Sequence, residues 1–466
     1  ATQAPEPTKP ANVELIMGGS YKQVHGDADF VDDEFEEERH GSWKGITGDI
    51  ITAVIGAGVL SIPYSVGVLG WVGGMFVMVL FAFITWYTAQ LLASCYIWNG
   101  RRMRSYAQVV RESMGLGHEI FFGIIQFSNL FLSALAYNIT GALSLQAVVC
   151  PTGGCEGRGY SYWVFAVIYG GIQLVVSQLP NMDSLWWISA LGAIMSFGYS
   201  TMAIALSITY MATYGVAGGS VSGIEFSTSS NKTFAVLNAI GAITFAYSFS
   251  FIFIDMLDTV RRDAKGPMWH GHRAVSIGLV IITAFYLLVA ITGYMAFGDA
   301  VCGELLTCFS VAPDGGRVAT IPLWTIRWAN AMVFVHVIPS YALFSHPLFA
   351  AVERAAARRR PELAGRKSMM TFRLVWRSAY VAVVCVLAAC LPFFNDIVGL
   401  IGAIGFWPAT VLYPVEMYIR KYNVKGALWW AMEALNVFCF CITVLAIVGS
   451  VQVIISSASS YKPFQD

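Results

Sequence analysis

One stretch of this chain gathers residues that undo a helix: Val54-Ile55-Gly56-Ala57-Gly58-Val59-Leu60-Ser61-Ile62-Pro63. Gly56 and Gly58 lower the cost of leaving helical geometry, and Pro63 lacks a donor and crowds the carbonyl four residues back. Unwinding frees backbone amides, which can hold an anion such as a carboxylate. The same small residues also suit close helix packing of the GxxxG kind, and the glycines alone leave both readings open. A second stretch, Gly241-Ala242-Ile243-Thr244-Phe245-Ala246-Tyr247-Ser248-Phe249-Ser250, offers hydroxyls and aromatics but no proline, so its signal for a break is weaker. Titratable groups inside apolar segments are few and are functional candidates by default. Asp49 lies seven residues before Gly56, about 10 Å along a helix. Asp255 and His336 lie in later apolar segments. These three are the candidates for carrying a proton, and an unperturbed imidazole titrates at about pH 6.5. The alternatives are a helix cap for Asp49 and a satisfied core histidine for His336. Asp258, Arg327, Asp396 and Glu416 read as boundary residues.

The segments around these residues must cross a bilayer. Of 466 residues, 57% are hydrophobic and 12% charged, against about 25% charged in soluble domains. A water-facing surface cannot be covered with so few charges. Equal numbers of basic and acidic residues, 28 each, leave no bulk field to attract nucleic acid. Eleven segments reach the length of a spanning helix, near 46–69, 71–97, 118–148, 161–179, 184–211, 234–257, 273–296, 322–350, 373–391, 396–419 and 427–457. Only the Leu69-Gly70-Trp71 turn separates the first two. The expected fold class is therefore an all-α integral membrane protein with 11 transmembrane helices.

Lys and Arg set the orientation. With the N-terminus in the cytoplasm, four lie in the tail and nineteen in the inner loops, leaving five outside. The N-terminus is expected inside and the C-terminus outside. The tail, 1–44, packs eight carboxylates into the twelve positions from Asp27 to Glu38 and cannot bury enough apolar surface to fold alone. It reads as a solvated cytoplasmic tail, with a docking or regulatory element as the alternative. Residues 45–457 form the membrane domain and 458–466 a short outer tail. The first residues lack the apolar core of a secretory signal, which assigns targeting to the first span.

Cys150 and Cys155 share one outer loop, Cys302 and Cys308 another, and either pair can form a disulfide in an oxidising compartment. Cys95, Cys385, Cys390, Cys439 and Cys441 lie in or beside spans and read as packing residues. No zinc-like spacing occurs, so no metal and no cofactor is expected. Asn231-Lys232-Thr233 is a glycosylation sequon on the outer side. Asn138-Ile139-Thr140 matches the pattern too, but it lies within a span.

Taken in order, the motifs resemble the amino acid/auxin permease family and within it the plant-type amino acid permeases, of the amino acid–polyamine–organocation superfamily. The resemblance covers nearly everything after residue 42. It rests on Ile50 to Ser61, Leu69-Gly70-Trp71, Ser177-Gln178-Leu179-Pro180-Asn181, Phe245-Ala246-Tyr247-Ser248, Phe372 to Arg377, Pro392-Phe393-Phe394-Asn395, Phe406-Trp407-Pro408, Tyr413 to Met417 and Tyr461-Lys462-Pro463-Phe464. It implies a five-plus-five inverted repeat plus an eleventh helix, with spans 1 and 6 broken around a central site and alternating access by rocking. It implies uptake of free amino acids at the plasma membrane, driven by protons rather than sodium. By match to the family pattern, substrate binding falls to Ile55, Gly56, Ala57, Gly58 and Val59, to Phe245, Ala246, Tyr247, Ser248 and Phe249, and to Asn129 and Asn330. His336 matches a histidine typical of the plant permeases. Asp49 stands where those permeases usually carry histidine, Ser61-Ile62-Pro63-Tyr64 replaces their Ser-Leu-Ala-Trp, and Gln108 and Asn138 depart as well. These departures bear on substrate range and subfamily. The fifth span lacks the lysine that serves as proton site in some distant relatives. Two other functions compete: a non-transporting amino acid sensor signalling through the acidic tail, and a membrane-embedded enzyme, for which no constellation of side chains at one depth is found.

Overall fold

The computed structural model describes residues 41–151, 160–179, 186–261, 263–309, 321–360 and 366–461. Residues 1–40 of the acidic tail, Cys155, the Pro180-Asn181 part of its motif and 462–466 lie outside the described residues. The helices run α1 (Trp43–Val54), α2 (Ile62–Cys95), α3 (Tyr106–Met114), α4 (Leu116–Val149), α5 (Tyr162–Val176), α6 (Trp186–Tyr214), α7 (Ser229–Ala246), α8 (Ser250–Asp258) and α9 (Gly266–Phe297). They continue as α10 (Leu305–Cys308), α11 (Leu323–Arg359), α12 (Arg366–Cys390), α13 (Phe394–Gly405), α14 (Tyr413–Tyr422) and α15 (Ala427–Ser460). The only sheet among the described residues is a two-stranded hairpin, Ile97–Trp98 with Arg101–Arg102.

Among the described residues nine helices are long and apolar enough to cross a membrane, and Tyr162–Val176 is a shorter apolar helix. One of the nine, Gly58–Cys95, joins the parts expected as the end of the first span and the whole of the second. Gly70 interrupts it with φ 75° and ψ 169°. A Cβ there would lie 2.1 Å from the Val221 carbonyl oxygen, so only glycine fits the turn at this point. Trp71 then anchors the turn, its Nε1 donating to Gly218 O at 2.6 Å.

The outward faces are apolar. Val72, Phe76, Val79 and Phe83 form one exposed helical stripe on α2, and Val437, Phe438, Val444, Leu445 and Val448 are exposed on α15. Such surface is tolerated where lipid is the solvent. Inside the bundle, small residues bring backbones together. A Cβ at Gly402 would lie 1.9 Å from Gly241 O, and one at Gly241 would lie 2.2 Å from Gly399 O. Helices α7 and α13 thus touch through their backbones, the geometry small residues allow between membrane helices.

The basic loops converge at one end of the bundle. Lys421 Nζ donates to Ser94 O and Ile97 O, Arg420 to Ser113 O, and Arg102 to Val260 O. Ser94 and Ser113 lie at helix ends, Ile97 in the hairpin and Val260 after α8, so none of these carbonyls has a helical partner. Nearby, Glu353 receives both Arg373 and Arg377, each at 2.8 Å, and Arg377 also donates to Ser177 O and Leu179 O. The arginines of the Phe372–Arg377 motif therefore tie α11 and α12 to the end of α5. Between α13 and α14 the chain widens into a π-helix, Phe406–Leu412. Its loosened backbone is partnered: Tyr106 OH donates to Ala409 O at 2.6 Å.

Candidate functional site

Two helices are interrupted in the bundle interior. The first leaves α-helical geometry after Val54, passes through Ile55 and an extended Gly56, turns as a 3-10 helix over Ala57–Ser61, and resumes as α2. Pro63 falls in the first turn of α2, where its missing donor costs nothing. Its role is to restart the helix, and the glycines before it carry the break. The second interruption separates α7 from α8 at Tyr247–Phe249, so the break with no proline is as real as the first.

The two breaks touch. A Cβ at Gly58 would lie 3.4 Å from the Phe245 ring and 3.7 Å from the Ala246 Cα. Tyr286 on α9 joins them, its hydroxyl shared between Val54 O at 2.5 Å and Ala246 O at 2.8 Å. These are helix-terminal carbonyls, and one phenol serves an end from each span. Tyr199 on α6 reaches Ile55 O at 3.5 Å, and its ring packs edge-on to His336 at 5.7 Å.

His336 is buried on α11 against the first break. A Cβ at Gly56 would lie 3.6 Å from His336 Nε2 and 3.9 Å from the Tyr137 hydroxyl. The other ring nitrogen, Nδ1, bonds Gly192 O and Ser196 Oγ, both at 2.9 Å. With Nδ1–H donated to a carbonyl, neutral imidazole presents Nε2 as an acceptor toward the break. Ser340 Oγ lies 3.3 Å from Nε2 while donating to His336 O.

The other sequence candidates lie elsewhere. Asp49 and Asp255, expected as buried groups, both keep solvent-accessible surface. Asn129 is buried, but its Nδ2 donates to Ile401 O at 3.1 Å and crowds Gly405, which joins α4 to α13. Asn330 Nδ2 donates to Ile326 O one turn back in its own helix, at 2.9 Å. Phe245 and Ser248 are half-buried, and Tyr247 and Phe249 fully buried, the ring of Tyr247 lying 5.4 Å from that of Tyr286. Cys302 and Cys308 form a disulfide, whereas the partner expected for Cys150 lies outside the described residues. Asn231 is exposed in the first turn of α7. Tyr137, Tyr199 and Tyr286 went unnoticed in the sequence, because nothing distinguishes them among 21 tyrosines. A cavity of about 360 Å³ with an almost wholly apolar lining, including Leu80, Phe83 and Phe438, opens between α2 and α15. It is a groove on the lipid-facing side and lies away from the breaks.

The basic end is closed beneath the site. Gly41 N donates to Thr259 O at 2.9 Å, and Arg261 N to Gly41 O at 3.0 Å. Trp43 N donates to His270 Nδ1 at 3.0 Å, His270 Nε2 meets Asp263 Oδ2 at 2.7 Å, and Arg273 stacks 4.6 Å over the Trp43 ring. Burial pushes the Asp263 carboxyl up, but bonds from His270 and from the amides of Lys265 and Gly266 outweigh it and hold the group below the usual carboxylate range.

Paired helix breaks meeting inside a membrane bundle define a transporter of the inverted-repeat class. In a solved structure of a Na+-coupled sialic acid symporter, substrate-bound and outward-open, the fold recurs with a TM-score of 0.51 at 10% identity, over 91% of each chain. The transmembrane amino acid transporter protein family matches residues 39–456, and this chain belongs to it. It is 37% identical to amino acid permease 2 of Arabidopsis thaliana over 93% of this chain and 92% of that one. It is 35% identical to amino acid permease 3 of the same plant, over 97% and 99%.

Proposed function

We propose that the protein imports free amino acids as a proton symporter working by alternating access, at the plasma membrane, with the basic loops and N-terminus inside. The meeting of the two breaks supports this reading most directly. Of the carbonyls at the breaks, Val54 O and Ala246 O are engaged by Tyr286, while the first amides of the 3-10 turn have no carbonyl before them in that turn. An α-carboxylate fits those amides, and an α-ammonium fits oxygens of the second break, including the Ser248 hydroxyl. Ile55 to Val59 and Phe245 to Phe249 form the substrate site in this reading, with Asn129 joining two of the helices that frame it and Asn330 on the α11 face beside it. His336 is placed to sense the first break through Nε2. Rocking must part Gly41 and Trp43 from Thr259, Arg261 and His270 to open the inner side.

Reconstituted protein in proteoliposomes tests the coupling. Uptake should follow an imposed inward proton gradient and persist when sodium is replaced. Uptake that follows sodium and ignores the pH gradient refutes proton coupling. Competition by neutral, acidic, basic and aromatic amino acids then defines the accepted side chains.

A further inference from the structure

Glu304 lies outside the spans, within the loop closed by the Cys302–Cys308 disulfide, immediately before α10. It sits at the end of the molecule opposite the basic loops, yet it is only 8% exposed, and its Oε1 has no hydrogen-bond partner. Helix α10 packs on the 3-10 turn of the first break and on α11. Leu305 and Pro63 both press on Gly293, where a Cβ would lie 3.1 Å and 2.9 Å from them. On the other flank, a Cβ at Gly303 would lie 3.5 Å from the Asn395 Cβ. Asn395 is 7% exposed, with both amide atoms unpartnered. A disulfide-braced loop thus lies over the outer part of the first break and buries a carboxyl that no cation among the described residues neutralises.

The charged and titratable neighbours among the described residues do not supply a counter-ion. The 3-10 turn has none. Tyr199 on α6 lies within electrostatic range of Glu304 but brings no positive charge. On α11 Arg327 is exposed and His336 is engaged at the first break. Asp396 accepts the Ser457 hydroxyl at 2.7 Å, Asp299 accepts Tyr294 OH, and Lys232 donates to Val68 O and Ile224 O. Among the described residues no cation lies within ion-pair distance of Glu304.

An ionised carboxylate without a counter-ion is expensive to bury, whereas a protonated one is neutral. We propose that Glu304 takes up the coupling proton from the outer side, and that its protonation allows the Cys302–Cys308 loop to close over the first break. The proposal rests on the proton-symport reading. Burial pushes the Glu304 carboxyl up to about 7, outweighing the amides of Leu306 and Thr307, which bond its charged form. With the loop lifted into water the value returns toward about 4.3. The closed form therefore binds the proton more tightly. Its stabilisation is full below the open-form value and is lost as pH rises through the closed-form one. A proton taken from outside then favours closure, and deprotonation favours reopening.

The test uses the full chain in proteoliposomes with radiolabelled alanine. Wild type should accumulate label under an imposed pH gradient. Glu304→Gln, which mimics the protonated group, should keep label exchange without a gradient to within about threefold, yet lose at least tenfold in gradient-driven accumulation. Its KM should no longer rise with outside pH. If wild type ignores the gradient, the symport reading and this proposal fall together. If wild type responds and Glu304→Gln accumulates equally, only the proposal is overturned. Should Glu304→Gln lose exchange as well, Glu304→Asp decides. Recovery of both activities with a displaced pH midpoint supports the proposal; recovery with the wild-type midpoint, or no recovery, assigns Glu304 to folding or substrate binding and overturns it.

Discussion

Replacing Tyr286 by phenylalanine removes one oxygen and leaves the ring in place. That oxygen serves two buried carbonyls, Val54 O at 2.5 Å and Ala246 O at 2.8 Å, each at the end of an interrupted helix. Ala246 O loses the phenol's hydrogen bond, while Val54 O keeps the Gly56 amide at 2.7 Å, and leaving a buried polar group unpaired costs about 1–3 kcal/mol. The carbonyls belong to the segments assigned to substrate, so the loss falls on the arrangement that binds it. At about 1.4 kcal/mol per decade, KM should rise roughly tenfold to a hundredfold. Thr292→Val, on the same helix, removes a hydroxyl bonded only to Leu288 O and Val289 O of its own helix. That change should stay within about 0.5 kcal/mol, as for other peripheral substitutions. Both variants are compared by concentration-dependent uptake, normalised to protein in the membrane. A Tyr286→Phe protein with KM within twofold of wild type refutes the idea that this phenol ties the two breaks together.

Other positions give further predictions. Gly402→Ala places a methyl 1.9 Å from Gly241 O and 2.6 Å from Phe245 N; overpacking of about 1–3 kcal/mol should lower the melting temperature in detergent and reduce uptake, since the second break is pushed as well. Arg377→Ala leaves the Glu353 carboxylate, 8% exposed, with the half-exposed Arg373 as its remaining partner and takes the donor from Ser177 O and Leu179 O, a loss of about 1–3 kcal/mol for the buried acceptors. The yield of monodisperse protein should fall steeply, and less for a double replacement of Arg377 and Glu353 by methionine. Asp263→Asn weakens the hold of His270 on Trp43. Because the Asp263 carboxyl sits below its usual range, its contribution is present above the unfolded value and is lost only as pH falls through the lowered one. The variant effect should therefore be visible at neutral pH. The pair is partly exposed, so about 1 kcal/mol is expected, and hydrogen exchange across 41–46 should quicken about fivefold.

The sequence by itself determined that this is a membrane bundle, because 57% hydrophobic residues with 12% charged leave no other solvent for its surface. It also located both breaks. Glycines, and a motif resemblance where proline was missing, mark where a helix cannot continue, and that is a local property. The turn at Gly70 was legible for the same reason. Burial was not legible, because it depends on which face of a helix meets a neighbour: Asp49 and Asp255 sit in apolar segments yet are exposed. Partnership was legible least of all. Tyr286 is separated from Val54 by 232 residues and Tyr199 from Ile55 by 144, and no pattern along the chain links them. Nothing along the chain marks Glu304, and only the packing of its disulfide-bound loop against the first break removes it from water. Backbone conformation followed from neighbours in sequence; which polar group is left without water or a partner was decided by neighbours in space.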